Sequence, residues 1–227
     1  MQKNSIGRAT LLKPAFFNRD PRRVARSLLG KLLIRKTASG ILSGRIVETE
    51  AYLGEGDAAA HSAAGRTLRN AVLFGPPAHA YVYFIYGNHF CLNVSCLPDG
   101  VAGGVLFRAM EPAAGIEQMA QARGIEISKE SDLRKTSILR NISSGPGRMC
   151  EALAVTRERD NGKSFVSPGS DLQLAGDGYR VRRVIVTPRI GIVKSAEQPL
   201  RYLIAGNPFV SGAGSKIFRS KMADDRM

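Results

Sequence analysis

The amino-acid sequence predicts an α+β fold built on an antiparallel sheet in a single mixed domain. Strand-like segments occur in neighbouring pairs joined by short turn sequences, which is typical of hairpins. Helical segments come at irregular intervals, without the strict alternation that a parallel sheet requires. The chain has 227 residues, of which 44% are hydrophobic, and no repeat or linker divides it. A chain of this length and composition can bury one substantial core.

The first predicted elements are a helix and two strands. Asp20-Pro21 has the residue types of a helix N-cap and first helical position, and the helix should stop at Gly30. Strands are predicted over 32–35 and 41–52, with a turn at 38–40 between them.

An aromatic hairpin and a set of later elements complete the prediction. Residues 81–86 and His89–Ser95 are expected to pair, with Tyr86 at the tip beside the turn Gly87-Asn88. Glu111-Pro112 should open a helix that reaches about residue 123. We expect about 20 N-terminal and about 12 C-terminal residues to be loosely ordered. The other predicted elements are strands over 104–110, 179–187 and 200–205 and a helix over 148–154.

The charge balance restricts the possible partners. Thirty-three Lys and Arg against nineteen Asp and Glu give a formal net charge of +14 and a pI near 10.2. Such an excess attracts a polyanion, either nucleic acid or an acidic membrane surface. No apolar run approaches the roughly 18–20 residues of a spanning helix, so we expect no membrane attachment. Three cysteines without a CxxC pair indicate free thiols in a reducing, intracellular compartment.

Four residues that could carry chemistry lie within fourteen positions: Glu48, Glu50, Asp57 and His61. Strand alternation places Glu48 and Glu50 on the same face as Ile46 and Tyr52. Two such carboxylates are costly unless something uses or neutralises them. Three interpretations remain open from spacing alone: an exposed acidic strand end, a magnesium or manganese site, and general acid–base catalysis by one buried carboxylate.

The aromatic hairpin favours a nucleic-acid partner. Tyr81 and Tyr83 share one face of the strand, and Phe84 and Tyr86 share the other. We expect Phe84 to pack in the core. Aromatic faces stack on bases, and a side chain at a hairpin tip can enter a base stack.

Six motifs in this order resemble the alkyladenine, or 3-methyladenine, DNA glycosylases, and the match runs from about residue 23 to about residue 210. The motifs are ARSLLGKLL (25–33), GRIVETEAYLG (44–54), HSAAGRTLRN (61–70), AYVYFIYGNHFCLNVS (80–95), VLFRAMEP (105–112) and SGPGRMCEAL (144–153). The resemblance implies a curved antiparallel sheet with flanking helices and a protruding β-hairpin that inserts into the minor groove.

The resemblance also implies roles for individual residues at a base pocket. Glu50 would be the general base for a water molecule, and Arg108 would help to hold that water and a neighbouring phosphate. Tyr52 and Tyr83 would stack on the flipped base. The remaining pocket residues would be His61, which hydrogen-bonds near the sugar or base, and Asn93, which excludes guanine.

A second group of residues would contact DNA outside the pocket. Tyr86 would fill the gap left by the flipped nucleotide, and Arg66, Ser144 and Gly145 would contact the backbone. The chain departs from the family pattern at Asn88, where methionine is frequent, and at Leu68, which replaces the proline of a common TPR sequence.

The implied activity is that of a monofunctional glycosylase for alkylated or deaminated purines in duplex DNA: 3-methyladenine, 7-methylguanine and possible further substrates such as hypoxanthine or ethenoadenine. Such an enzyme needs no cofactor and no metal, acts as a monomer, and works where the DNA is, in the cytoplasm or nucleoid of a bacterium. Two alternatives stay open: a metal-dependent nuclease using Glu48, Glu50, Asp57 and His61, and a noncatalytic DNA- or RNA-binding protein.

Overall fold

The computed structural model describes residues 9–85, 87 and 89–212. Within these ranges the strands are β1 (Thr10–Leu11), β2 (Leu32–Thr37), β3 (Gly40–Tyr52), β4 (Ala80–Ile85), β5 (His89–Ser95), β6 (Gly104–Ala114), β7 (Leu172–Gly176), β8 (Val184–Thr187) and β9 (Arg201–Ile204). The helices are α1 (Pro14–Phe17), α2 (Pro21–Leu28), α3 (Ile116–Ala122), α4 (Thr136–Ser143), α5 (Pro146–Ala152) and α6 (Arg157–Asp160). Two short 3-10 helices span Ala71–Phe74 and Glu130–Arg134.

All described strands belong to one curled antiparallel sheet, which confirms the predicted α+β class and the curved sheet. The order along its main path is β1-β7-β2-β3-β6-β5-β4, and β9 joins β3 while pairing with β8. The long strand β3 therefore changes partners along one edge. Its first half pairs with β2, whereas Glu48, Thr49 and Glu50 pair with β9.

The sheet is irregular next to the acidic pair of β3. Register shifts between β3 and β6 occur on both sides of Glu48. Ile46 pairs with Met110 and Glu48 pairs with the adjacent Ala109, so Val47 is an extra residue and the predicted alternation holds from Glu48 onward but does not include Ile46. Thr49 points to the other face, where its hydroxyl donates to the carbonyl oxygen of Ala25 in α2 at 3.0 Å.

Local capping explains where α2 begins. The Asp20 carboxylate accepts a hydrogen bond from the backbone N–H of Arg22 at 2.8 Å, and Pro21 occupies the first turn, as predicted. The helix ends at Leu28, and Gly30 follows with φ +81°. The apolar face of α2, which includes Val24 and Leu28, is fully buried in the core.

Several predicted bounds are wrong. Glu111 and Pro112 do not open a helix, because β6 continues through Ala114 and these two residues pair with β3; α3 begins only at Ile116, after Gly115 with φ +68°. The predicted strand over 179–187 is confined to β8. Long-range pairing decides these cases, and local preference does not encode it.

The aromatic hairpin forms with Ile85 opposite His89, so the connection contains three residues, of which Gly87 has φ +72°. The two predicted strands therefore pair, and β4 ends at Ile85. Protrusion of this hairpin and its insertion into DNA stay predictions. Tyr86 and Asn88 lie outside the described residues. Phe84 is 47% exposed and packs on Phe90 with ring centroids 5.1 Å apart, so its predicted place in the core is wrong.

Candidate active site

A pocket of about 370 Å³ opens beside the C-terminal half of β3. Aromatic side chains from β3 and β4 line it, together with polar side chains from β5 and β6 and two irregular segments, 59–62 and 190–192. The predicted site residues among its lining are Tyr52, His61, Tyr83, Asn93 and Arg108. The structure thus brings together five side chains that are spread over 57 positions of the sequence.

Glu50 lies directly behind this wall and is fully buried. Its Oε1 accepts a hydrogen bond from the backbone N–H of Ile190 at 2.8 Å and lies 3.3 Å from Nη1 of Arg108. Its Oε2 accepts from the Tyr52 hydroxyl at 3.1 Å. Tyr52, Arg108 and Ile190 all line the pocket, so every recorded partner of the Glu50 carboxylate belongs to the pocket wall.

Glu48 is also fully buried, and its surroundings explain why it can sit beside Glu50. Its Oε1 accepts from Nε of Arg201 at 2.6 Å and from Nε of Arg108 at 3.2 Å. Its Oε2 accepts from the backbone N–H of Ser211 at 2.6 Å. With both oxygens engaged by hydrogen-bond donors, Glu48 anchors Arg108 at Nε, which leaves the outer end of that guanidinium next to Glu50.

Asp57 is neutralised by a third arginine. Nη1 and Nη2 of Arg189 bind its two carboxylate oxygens at 2.6 and 2.8 Å, and both side chains are fully buried. Burial opposes the charge of Asp57, but the hydrogen bonds from Arg189 and from the N–H of Leu53 hold its pKa below the ordinary value. The guanidinium of Arg189 also lies over the Tyr52 ring, 4.6 Å from the centroid.

This pairing links the two irregular walls of the pocket. Asp57 precedes the segment 59–62, and Arg189 precedes the segment 190–192. The Arg189 side chain is fixed by Asp57, and the backbone N–H of the next residue, Ile190, reaches Glu50. We call this arrangement the Asp57–Arg189 clamp.

The acidic cluster predicted from the sequence is therefore an ion-pair network in which Glu48, Glu50 and Asp57 meet three guanidinium groups. Arg189, Arg201 and Ser211 had no recognisable sequence pattern and were missed. Their partners lie 132 to 163 positions away along the chain. Partners so distant along the chain leave no short-range pattern in the sequence by which these three residues could have been identified.

The pocket tyrosines and histidine are held in neutral forms. Burial, and then the negative charge of Glu50, raise the pKa of Tyr52, and burial raises the pKa of Tyr83. Desolvation, followed by the positive charge of Arg69, lowers the pKa of His61. Nδ1 of His61 lies 2.9 Å from the Tyr81 hydroxyl, and its ring packs edge-on against Tyr83 at 4.4 Å. Neutral aromatic walls can accept a positively charged flat ligand.

Asn93 is buried on β5, opposite Tyr81. Its Nδ2 donates to the Tyr81 carbonyl oxygen at 3.2 Å, which fixes the amide plane in the pocket wall. Cys91, two residues earlier, also lines the pocket, and burial raises the pKa of its thiol to about 11. The Cys91 thiol is therefore uncharged at neutral pH.

The residues predicted to contact DNA occupy two places around the pocket. Arg66 is exposed on the loop that follows His61. Ser144 is buried and directly follows the last residue of α4. Gly145, with φ +143°, precedes Pro146, which lines the pocket. The hydroxyl of Ser144 has no hydrogen-bond partner within the described part of the chain.

The four residues of the possible metal site do not converge. Glu48 and Asp57 are engaged by arginines, and His61 is bonded to Tyr81. Over residues 9–85, 87 and 89–212, no group of three or more His, Cys, Asp or Glu side chains is arranged to hold a metal ion. In the same ranges, no helix is long and apolar enough to cross a membrane.

The comparisons with known proteins all indicate the same family. The sequence profile of the family described as "Methylpurine-DNA glycosylase" matches residues 15–208. Three similar proteins carry the name "Putative 3-methyladenine DNA glycosylase". The first, from Koribacter versatilis, is 65% identical over 212 residues, covering 93% of this chain and 98% of that protein. The second, from Nitrosospira multiformis, is 46% identical over 188 residues, covering 83% and 87%. The third, from Methanocella arvoryzae, is 41% identical over 199 residues, covering 86% and 93%.

Proposed function

The chain belongs to the methylpurine-DNA glycosylase family and is a DNA glycosylase that hydrolyses N-glycosyl bonds, and we propose that it acts on damaged purines flipped from duplex DNA into the pocket. The proposed substrates are 3-methyladenine and 7-methylguanine, with hypoxanthine and ethenoadenine, which are also flat modified purines, as further candidates. The observation that carries the proposal is the buried Glu50 carboxylate, bonded to three residues of an aromatic pocket.

Base flipping is required because the glycosidic bond inside a duplex cannot be reached. The pocket volume of about 370 Å³ lies within the range of about 300–1,000 Å³ that is usual for small-molecule sites. A methylated purine carries positive charge, so it stacks well on the electron-rich faces of Tyr52 and Tyr83. Damaged bases also pair and stack poorly, which lowers the cost of extrusion.

Hydrolysis would proceed through an oxocarbenium-like sugar. The bond between C1′ of the sugar and the base nitrogen breaks, and its electron pair leaves with the base. The oxygen of a water molecule bonds to C1′ and gives its proton to Glu50, whose negative charge also stabilises the developing cation. The products are the free base and an abasic site. An alkylated purine is already a good leaving group, so this step needs no metal or cofactor.

The surrounding residues would prepare Glu50 for this task. Arg108 sits between Glu48 and Glu50, where it can hold the water and a nearby phosphate. The fixed amide of Asn93 would clash with the amino group of an undamaged guanine. His61 would contact the sugar or base. A water must enter the pocket to reach Glu50, because the carboxylate is fully buried.

The proposed partner is duplex DNA that bears damaged purines. The protein would bind this DNA as a monomer, and no membrane would take part. The place of action would be inside the cell, in the cytoplasm or nucleoid of a bacterium. A metal-dependent nuclease is less well supported, because arginines are paired with three of its four candidate ligands, Glu48, Glu50 and Asp57. A noncatalytic binding protein gives no reason for a buried Glu50 behind the pocket.

The test is release of free base in EDTA from duplex DNA that contains 3-methyladenine or hypoxanthine. We expect the wild-type protein to release base, Glu50→Gln to bind the DNA without turnover, and borohydride to trap no covalent adduct. Glu111→Gln is the matched control, because Glu111 is bonded to Asn207 and does not line the pocket. Turnover by Glu50→Gln within a few-fold of wild type would contradict the proposal, as would activity that appears only with magnesium.

A further inference from the structure

The loop between the pocket and the 3-10 helix Ala71–Phe74 presents an apolar side chain to water. Leu68 is 98% exposed, which is the highest value among the large hydrophobic residues that the structure describes. A single exposed leucine is ordinary on a protein surface. The exposure of Leu68 requires a more specific explanation, because its loop is held by hydrogen bonds and its neighbours in the sequence are arginines.

The loop is closed by hydrogen bonds to one buried residue. The Asn70 side chain accepts from the backbone N–H of Thr67 at 2.7 Å and donates to the carbonyl oxygens of Gly65 and His61, both at 2.9 Å. Asn70 is 2% exposed, and His61 lines the pocket. The loop is therefore fastened directly to the pocket wall, and its closure leaves Leu68 facing solvent.

Two exposed arginines flank the leucine. Arg66 and Arg69 are both exposed, and within the described part of the chain neither forms an ion pair with an acidic side chain. Arg69 lies close enough to His61 to lower its pKa. An apolar side chain between two arginines without carboxylate partners matches the surface of a DNA groove, where sugars and base edges lie between two rows of phosphates.

We propose that Leu68 is a DNA contact that packs against sugars and base edges in the groove beside the flipped nucleotide, while Arg66 and Arg69 bind the flanking phosphates. This inference rests on the proposed function, since it places the duplex over the pocket. It adds a second apolar contact to the one proposed for the hairpin tip. The Asn70 closure holds the leucine in place before DNA arrives, so little conformational entropy is lost on binding.

The test measures binding to a duplex that carries one tetrahydrofuran abasic-site analogue, which the enzyme cannot process. We expect Leu68→Ser to raise the Kd about 10-fold, because the contact buries much of one leucine side chain. Leu68→Met should bind like wild type. Leu68→Ser should leave the dependence of Kd on salt unchanged, whereas Arg66→Gln should reduce the salt slope by about 1.

Ile41→Ser is the matched control. Ile41 is 42% exposed at the opposite end of β3, roughly 36 Å along the strand from Tyr52 at about 3.3 Å per residue. The Ile41→Ser variant should bind DNA like the wild-type protein. A Leu68→Ser Kd within two-fold of wild type, or an equal loss in Ile41→Ser, would overturn the inference.

Base release by the wild-type protein separates this inference from the proposed function. If the wild type releases no damaged base but Leu68→Ser still weakens binding selectively, the DNA contact stands and the proposed reaction fails. If base is released and the Leu68→Ser Kd is unchanged, the reaction stands and the contact fails.

Discussion

Replacing Arg189 with methionine tests the Asp57–Arg189 clamp, because methionine keeps much of the bulk and removes the guanidinium. Asp57 accepts four hydrogen bonds, two of them from Arg189 at 2.6 and 2.8 Å. The other two come from the N–H groups of Leu53 at 3.1 Å and Ala59 at 3.2 Å. The variant therefore leaves a buried carboxylate with half of its donors and releases the segment that begins at Ile190.

The stability loss follows from this count. Removing one partner of a buried ion pair costs about 3–5 kcal/mol. Asp57 keeps two backbone donors, so we expect the low end, about 3 kcal/mol. For a chain of this size the melting temperature should fall by roughly 6–12 °C.

The loss of activity should exceed what the lost stability explains. Arg189 lies over the Tyr52 ring at 4.6 Å, and the Ile190 N–H donates to Glu50 at 2.8 Å. A displacement of about 1 Å at a reacting group can cost about 100-fold in rate. We therefore expect single-turnover base release to fall about 100-fold, with the Kd for duplex DNA changed little.

Arg45→Met is the matched control. Arg45 binds Asp177 at 3.1 and 2.7 Å, donates to the Gly30 carbonyl oxygen at 2.7 Å and lies 4.2 Å from the Tyr179 centroid. These contacts repeat those of Arg189, and none of these residues lines the pocket. Both variants should be assayed well below their melting temperatures. Arg189→Lys, which keeps the charge but not the fork, should recover part of the rate.

Two results would refute the reasoning. If Arg45→Met loses as much rate as Arg189→Met, the effect is a general loss of stability. If Arg189→Met releases base within three-fold of wild type, neither Tyr52 nor the Ile190 N–H depends on the clamp.

Three further predictions concern pH, thiol chemistry and the hairpin tip. The pKa of Asp57 is lowered in the folded state, so its contribution to stability is present above the unfolded value of about 3.9 and is lost as the pH falls through the folded pKa. Urea unfolding measured from pH 7 to pH 3 should therefore show a smaller loss of unfolding free energy in Asp57→Asn than in the wild type. An equal loss in both proteins would contradict this prediction. Cys91, with a pKa of about 11, should react with iodoacetamide at pH 8 far more slowly in native than in unfolded protein, as mass spectrometry would show; equal rates would be inconsistent with its burial. Tyr86→Ala should weaken binding to lesion DNA with little change in nonspecific affinity, and unchanged flipping of a fluorescent base analogue would argue against insertion at the tip.

Where short-range rules apply, the sequence predicted the fold well. The start of α2 follows from Asp20 and Pro21, whose capping chemistry is local. The strand His89–Ser95 has the predicted bounds, because alternation and a tight turn define it. Where pairing with a distant strand decides, the prediction failed. Pro112 has the preference of a helix start, yet it pairs with Gly44 of β3.

The same distinction between short-range and long-range determinants applies to the candidate site. Strand alternation placed Glu48, Glu50 and Tyr52 together, and the resemblance assigned the roles that remain to be tested. The sequence offered no way to separate Glu48 and Asp57 from Glu50, since three carboxylates of similar spacing could all be ligands, bases or surface charges. The family resemblance favoured Glu50 as the general base, but it did not show what neutralises the carboxylates of Glu48 and Asp57.

The sequence by itself determined the residue types, the α+β class and the position of the acidic strand, because these depend on composition and periodicity over a few residues. Only the tertiary structure decided which carboxylate is bonded to the residues of the pocket wall. A buried carboxylate must be matched by donors, and those of Glu48 and Asp57 include Arg201, Ser211 and Arg189, which lie 132 to 163 positions away. Folding brings these partners together, and Glu50 is left among the residues of the pocket wall.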